Sequence, residues 1–168
     1  DRMEYLVSLT SDSKNKVNST LIRTVNGVSI LLQLDVTTPR PYSRLQTVCG
    51  TKGFIQKYPL PTIQLDGEDE PTVGDNALRK AENYFNSPTA QLWQKGHELG
   101  VPNEMNFTMD SRLIYCLQNG LPLDIDVYDA AEWSCLAELS RQSAQSGSIP
   151  VRIPDFTRGR WKDPNFNK

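Results

Sequence analysis

Asn26-Gly27 sits between two runs of β-branched and aliphatic residues, "STLIRTV" (19–25) and "VSILLQLDV" (28–36). Asn and Gly tolerate the positive φ of a tight turn, so this dipeptide predicts a hairpin in which the two runs pair antiparallel. A third apolar run, "EYLVSLT" (4–10), has the same strand character. Residues 42–49, "YSRLQTVC", alternate with period two. As a strand, this would put Tyr42, Arg44, Gln46 and Val48 on one face and Ser43, Leu45, Thr47 and Cys49 on the other. "GTKG" (50–53) then reads as a turn and "FIQKYP" (54–59) as a further strand. Residues 59–76, with Pro59, Pro61, Pro71 and the acidic run "DGEDEP", read as a solvated connection or edge.

Beyond residue 75 the period changes. Segments 75–86, 88–99, 105–119 and 127–145 have helical spacing, with stripes Met105/Met109/Leu113/Leu117 and Val127/Ala131/Cys135/Leu139 expected to face the core. Asp126 is placed to cap the last helix, and Gly120 and Gly147 to end the last two. The tail 149–161 is interrupted by prolines and reads as an extended edge, pinned by Ile149, Val151, Ile153 and Phe156. Strands followed by helices predict a single α+β domain over 1–168, a mainly antiparallel β-sheet with helices packed on one face. The other face must then be solvated or covered by another domain or subunit.

A formal net charge of -2 gives no basic stripe for a phosphate backbone, so no nucleic-acid partner is expected. Cys49, Cys116 and Cys135 are far apart and His97 is the only histidine, which argues against a zinc site and for buried free thiols. No apolar run is long enough to span a membrane, and the N-terminus lacks a signal-peptide pattern. The chain starts inside a strand pattern, as an excised domain would, which leaves the parent's location open between periplasm and cytoplasm.

Several groups offer chemistry. Tyr42 and Arg44, with Arg40 stiffened between Pro39 and Pro41, combine a flat ring with a rigid fork of donors suited to a sugar or a nucleotide. The same residues also suit a solvated face with a surface ion pair to Asp35. Asp124, Asp126, Asp129 and Glu132 could supply paired carboxylates, or simply favour a helix N-terminus. Asp110, Arg112 and His97 fit local helix-end or surface roles equally well. No dinucleotide fingerprint, P-loop or H-E-x-x-H occurs.

The blocks "TLIRT" (20–24), "DVTTPRPYSR" (35–44), "GTKGF" (50–54), "RLIYCLQNGLPLD" (112–124), "DVYDAAEWS" (126–134) and "VRIPDFTRG" (151–159) run through nearly the whole chain. Together they resemble the C-terminal domain of glycoside hydrolase family 109, NAD-dependent α-N-acetylgalactosaminidase-like enzymes of the glucose–fructose oxidoreductase/inositol dehydrogenase superfamily. The resemblance implies a parent with NAD held in an upstream Rossmann domain, and an N-acetylhexosaminide-like sugar cleaved through transient oxidation at C3 and elimination. It implies that Tyr42, the tyrosine of "PRPY", touches the sugar or lies beside the nicotinamide, with Arg40 and Arg44 as companions in substrate binding. It also implies a homo-oligomer through the open sheet face. The family's nucleotide-binding residues and catalytic histidine belong upstream of Asp1, so no catalytic residue is assigned within this chain. Isolated, the chain is expected to be catalytically silent and to hold no cofactor.

The chain departs from the family pattern in four places. Leu34 stands where a histidine precedes the aspartate, "PNEMN" (102–106) replaces "HGGMD" so that Pro102 and Asn106 differ, and Ser111 takes the place of a tyrosine. The interval between "LVSLTS" (6–11) and "VNSTLIRT" (17–24) is also shorter than in relatives. These departures suit a different substrate, or an inactive carbohydrate-binding or oligomerisation module.

Overall fold

The computed structural model describes residues 1–11, 17–84 and 87–166. The interval predicted to be short, at 12–16, lies outside the described residues. The chain divides into two compact units, residues 1–39 with 115–168, and residues 40–114. Where the sequence predicts one antiparallel sheet, there are two of four strands each, one per unit. The fold is α+β throughout, with antiparallel sheets and helices on one face.

The first unit holds β1 (Met3–Thr10), β2 (Val17–Thr24) and β3 (Ser29–Asp35). The Asn26-Gly27 hairpin forms as predicted, with β2 and β3 antiparallel and Ile22 opposite Ile30. Its loop is wider than a two-residue turn. The Gly27 N–H donates to the Thr24 carbonyl at 3.0 Å and the Thr24 N–H to the Val28 carbonyl at 2.9 Å, with Gly27 at φ 92°. This is a turn followed by one left-handed residue, a position only glycine occupies without strain. The short strand β8 (Val151–Arg152) pairs with the far side of β1, as the edge role of the tail requires, giving the order β3-β2-β1-β8.

Helix α4 (Val127–Gln145) lies over this sheet. Asp126 caps it, accepting from the N–H groups of Tyr128 and Asp129 at 2.8 and 2.9 Å, while Asp129 accepts the Asp126 N–H in return. Leu6, Ile22 and Ile153 form the buried core beneath it, flanked by Cys135, Leu136 and Leu139. Beside that core runs a seam of hydroxyls. Ser8 Oγ meets Thr20 Oγ1 at 2.9 Å, and Thr20 reaches Ser140 Oγ at 3.1 Å. Ser143 Oγ accepts the Ser8 N–H at 2.9 Å where β8 no longer pairs with β1. Arg2 pairs with Asp129 at 2.7 Å, and Glu132 accepts the Met3 N–H at 2.9 Å, fastening the start of β1 to the helix.

The second unit is built on β4 (Thr47–Gly50), β5 (Gly53–Gln56), β6 (Thr62–Leu65) and β7 (Thr72–Val73), in that order. Of the two readings of 59–76, a solvated connection or an edge, the edge is met by β7 at the end of the sheet, while β6 lies inside it: Pro61 precedes β6, where its missing N–H costs no ladder bond, and Ile63 is buried. At Gly53 a Cβ would stand 2.7 Å from the Gln64 carbonyl, so a side chain there would force β5 away from β6. Helix α1 (Asp75–Tyr84) packs on β6 and β7, burying Ala77, and Lys80 holds Glu68 at 2.5 Å. Helix α2 (Pro88–Glu98) follows, capped by Ser87.

The remaining helix, α3 (Glu104–Asn119), overturns one expectation. Met105, Met109, Leu113 and Leu117 are exposed, Leu117 by 67%. The buried positions of α3 are Thr108 and Cys116. Val127 on α4 is likewise exposed, as are Ile149 and Phe156 in the tail. Periodicity identifies a helix face, but it does not say what lies against it. The expectation of three buried thiols is corrected too: Cys116 is buried, Cys135 half-buried and Cys49 exposed.

Candidate functional site: an aromatic and cationic cluster around Tyr42

The polar face predicted for 42–49 does not form as a strand. Only Thr47–Gly50 pairs, because Leu45 and Gln46 adopt left-handed backbone, φ 58° and 49°, which ends the period-two alternation. Gln46 and Val48 therefore do not continue a face begun by Tyr42 and Arg44. The bend has a different effect. It is held by the N–H groups of Lys57 and Tyr58, which donate to the carbonyls of Gln46 and Leu45 at 3.1 and 3.3 Å. Those bonds extend the β4–β5 pairing by two residues and bring the strand's entry against Tyr58.

The result is a surface cluster within the second unit. The Tyr42 and Tyr58 rings meet edge to face at 88°, centroids 6.0 Å apart. Arg44 Nε donates to Tyr42 Oη, and its guanidinium carbon lies 5.7 Å from the Tyr42 centroid. Lys57 Nζ stands 5.8 Å from the Tyr58 centroid. Tyr42 is 69% exposed, and Arg40, Arg44 and Lys57 are exposed. Arg44 donates to the phenolic oxygen, which leaves the Tyr42 O–H as a donor for a ligand. A flat ring, a phenolic donor and a guanidinium are the groups that bind the face and edge of a sugar.

Of the predicted residues, the fold joins Tyr42 to Arg44 and leaves Arg40 exposed at the segment's start. Sequence reasoning does not reach Tyr58 and Lys57: "KYP" after an apolar strand reads as its continuation, and only the left-handed bend at 45–46 makes them neighbours of Tyr42.

Asp126, Asp129 and Glu132 have structural tasks. Asp126 and Asp129 form the capping box, Asp129 and Glu132 hold Arg2, and Glu132 is buried. His97 lies 3.2 Å from Glu104, whose carboxyl is held below its ordinary range first by a backbone hydrogen bond and then by His97. Burial, with Glu132 nearby, pushes the Cys135 thiol up, away from nucleophilic use. Among the described residues no three metal-ligating side chains gather, and no helix is long and apolar enough to cross a membrane. At the departures from the family pattern, Leu34 is exposed on β3, Pro102 is exposed, and Ser111 is half-buried in α3. The Asn106 N–H is taken up by Asn103 Oδ1 at 2.9 Å at the start of α3.

The fold defines the chain's class first. It superposes on an inositol dehydrogenase homologue from Azotobacter vinelandii, solved with NADH and myo-inositol, with a TM-score of 0.53 over 90% of this chain and 44% of that one, at 16% identity. The chain therefore has the fold of a dehydrogenase C-terminal domain. The family profile described as Glycosyl hydrolase 109, C-terminal domain, matches residues 7–163, and the chain belongs to that family. It is 53% identical to Glycosyl hydrolase family 109 protein 2 of Phocaeicola vulgatus, over 97% of this chain and 45% of that protein. It is also 53% identical to an alpha-N-acetylgalactosaminidase of Bacteroides fragilis, over 100% of this chain and 45% of that protein. The chain spans about half the length of these relatives.

Proposed function

We propose that this chain is the sugar-facing domain of an NAD-dependent glycosidase that acts on an N-acetylhexosaminide-like sugar, its parent carrying a Rossmann domain upstream. The observation that carries the reading is the cluster of exposed Tyr42 and Arg44 on half-buried Tyr58, in a chain more than half identical to a protein named alpha-N-acetylgalactosaminidase. The sequence has no strand–G-x-G-x-x-G–helix unit, so the dinucleotide would be held by the rest of the parent. The residue here that fits its nicotinamide end is Tyr42, with an exposed ring. When bound, NAD would supply a hydride acceptor for the sugar's C3 and a donor to restore it. Tyr42 would present its ring to the sugar's apolar face and its O–H to a hydroxyl or acetamido oxygen. Arg44 would hold that phenol in place and offer its remaining N–H groups along the sugar's edge. In the full-length parent, Tyr42→Ala is expected to weaken binding of an α-N-acetylgalactosaminide about tenfold, the scale of one lost aromatic platform, with the melting temperature unchanged. Unchanged affinity would refute the site.

The first unit supports the proposed homo-oligomer. Alternation along its strands sends Leu6, Ser8, Thr20 and Ile22 toward α4, and Tyr5, Val7, Leu9, Leu21 and Leu31 to the opposite face. Leu9, Leu21 and Leu31 are exposed there, and the register aligns Val7, Leu21 and Leu31 in one row. A contiguous apolar row of this kind suits a subunit contact. The departures at Leu34, Pro102, Asn106 and Ser111 favour a second reading, a carbohydrate-binding or oligomerisation module without catalysis. Turnover by the full-length parent distinguishes the two.

A further inference from the structure

Helix α3 carries an apolar row that the described residues of its own unit leave uncovered. Met105, Met109 and Leu113 stand four residues apart and are 48%, 58% and 45% exposed. The fourth member of the stripe, Leu117, falls in the first unit. The neighbour that α3 has within its unit is α2, and α2 holds a different side. A Cβ at Gly96 would stand 2.9 Å from the Phe107 ring, and His97 pairs with Glu104 at 3.2 Å. At about 100° per residue, Phe107 is about 120–200° around the helix from the three exposed side chains, so they turn away from α2. Exposed Asn106 and Asp110 border the row on one side, as a polar rim borders the apolar centre of a contact.

The chain's length against its relatives limits what can lie on this face. It accounts for 45% of the proteins from Phocaeicola vulgatus and Bacteroides fragilis, and its family profile is that of a C-terminal domain. The larger part of such a protein therefore precedes it. A domain joined to the same chain meets this face at an effective concentration that a separate molecule does not reach. Two methionines and a leucine, long and adaptable, suit a contact between two domains that fold separately and then dock. A second copy is the weaker occupant, because the leucine row on the first unit's sheet already offers that contact.

We infer that the Met105–Met109–Leu113 face of α3 is where the part of the parent that precedes this chain docks on it, through apolar side chains of its own. The inference rests on the reading that the parent carries a further domain upstream. It is tested on the full-length parent by methionine oxidation with hydrogen peroxide, a readout that needs no turnover. Met105 and Met109 should form sulfoxide about tenfold more slowly in the native parent than in the same protein unfolded in urea. The protection should persist when dilution brings the parent to monomer. A photoreactive benzoylphenylalanine in place of Leu113 then reports what lies on the face, and should crosslink to a peptide that precedes Asp1. Oxidation of both methionines at the unfolded rate overturns the inference. So does protection lost on dilution, or a crosslink to residues 1–168 or to a second chain. A parent that hydrolyses no glycoside while Met105 and Met109 stay protected refutes the glycosidase reading and leaves this contact standing.

Discussion

Replacing Ser143 by alanine tests how the first unit is closed. Ser143 is fully buried on α4, and its hydroxyl does two things: it accepts the Ser8 N–H at 2.9 Å and donates to the Ile149 carbonyl at 2.6 Å. β8 pairs with β1 only at Tyr5 and Leu6, so beyond them this hydroxyl takes the place of a neighbouring strand. Alanine is nearly the same size, so the change opens almost no cavity. Its cost is the orphaned Ser8 N–H, about 1–3 kcal/mol for a buried unsatisfied donor, plus about 1 kcal/mol for the bond to Ile149. A loss of about 2–4 kcal/mol is expected, read as a lower urea midpoint at constant slope. Ser140→Ala is the control. Its hydroxyl receives one bond from Thr20, which keeps contacts with Ser8 and Asn18, so about 0.5–1.5 kcal/mol is expected. Equal losses, or a Ser143→Ala loss below about 0.5 kcal/mol, would refute the reasoning that this hydroxyl completes the sheet edge.

Three further outcomes follow from the same geometry. Leu6→Ala should cost about 2–5 kcal/mol because Leu6 is fully buried, while Leu117→Ala, two-thirds exposed, should stay within about 0.5 kcal/mol in denaturant unfolding. Asp155 is held below its ordinary carboxyl range, first by the Thr157 hydroxyl and then by the N–H groups of Gly159 and Thr157 and the nearby Arg2. A depressed folded-state pKa gives stability that is present above the ordinary value near 3.8 and lost as pH falls through the folded one. Asp155→Asn should therefore flatten the acid limb of a melting-temperature profile. Leu21→Glu with Leu31→Glu should shift the parent toward monomer in light scattering without changing its circular dichroism; an unchanged oligomer would remove that sheet face from the proposed contact.

The last two helices were legible in the sequence from helical spacing with end signals, as in Asp126 before α4 and Gly147 after it, and the first two from spacing alone. The first hairpin was legible from Asn26-Gly27. The second sheet was read less completely. β6 and β7 are short and sit among prolines and acids, so composition outweighed the buried Ile63. Tyr42 and Arg44 do meet, but not on a strand face as the alternation of 42–49 predicts. Tyr42 and Arg44 were legible as residue types, but period-two reasoning cannot anticipate two left-handed non-glycine residues, and those are what bring Tyr58 and Lys57 into the cluster. The α3 stripe shows a limit of a different kind, since apolar spacing alone cannot reveal whether a partner face is present.

The central claim is that Tyr42 meets the sugar of an NAD-dependent glycosidase. The most direct measurement is hydrolysis of an aryl α-N-acetylgalactosaminide by the purified full-length parent and by its Tyr42→Ala form, with melting temperature and bound nucleotide measured on both. The account predicts turnover by the parent, and at least a tenfold loss of kcat/KM in the variant with both other readings unchanged. A parent that binds no nucleotide and turns over no glycoside, or a variant as active as the parent, would contradict it.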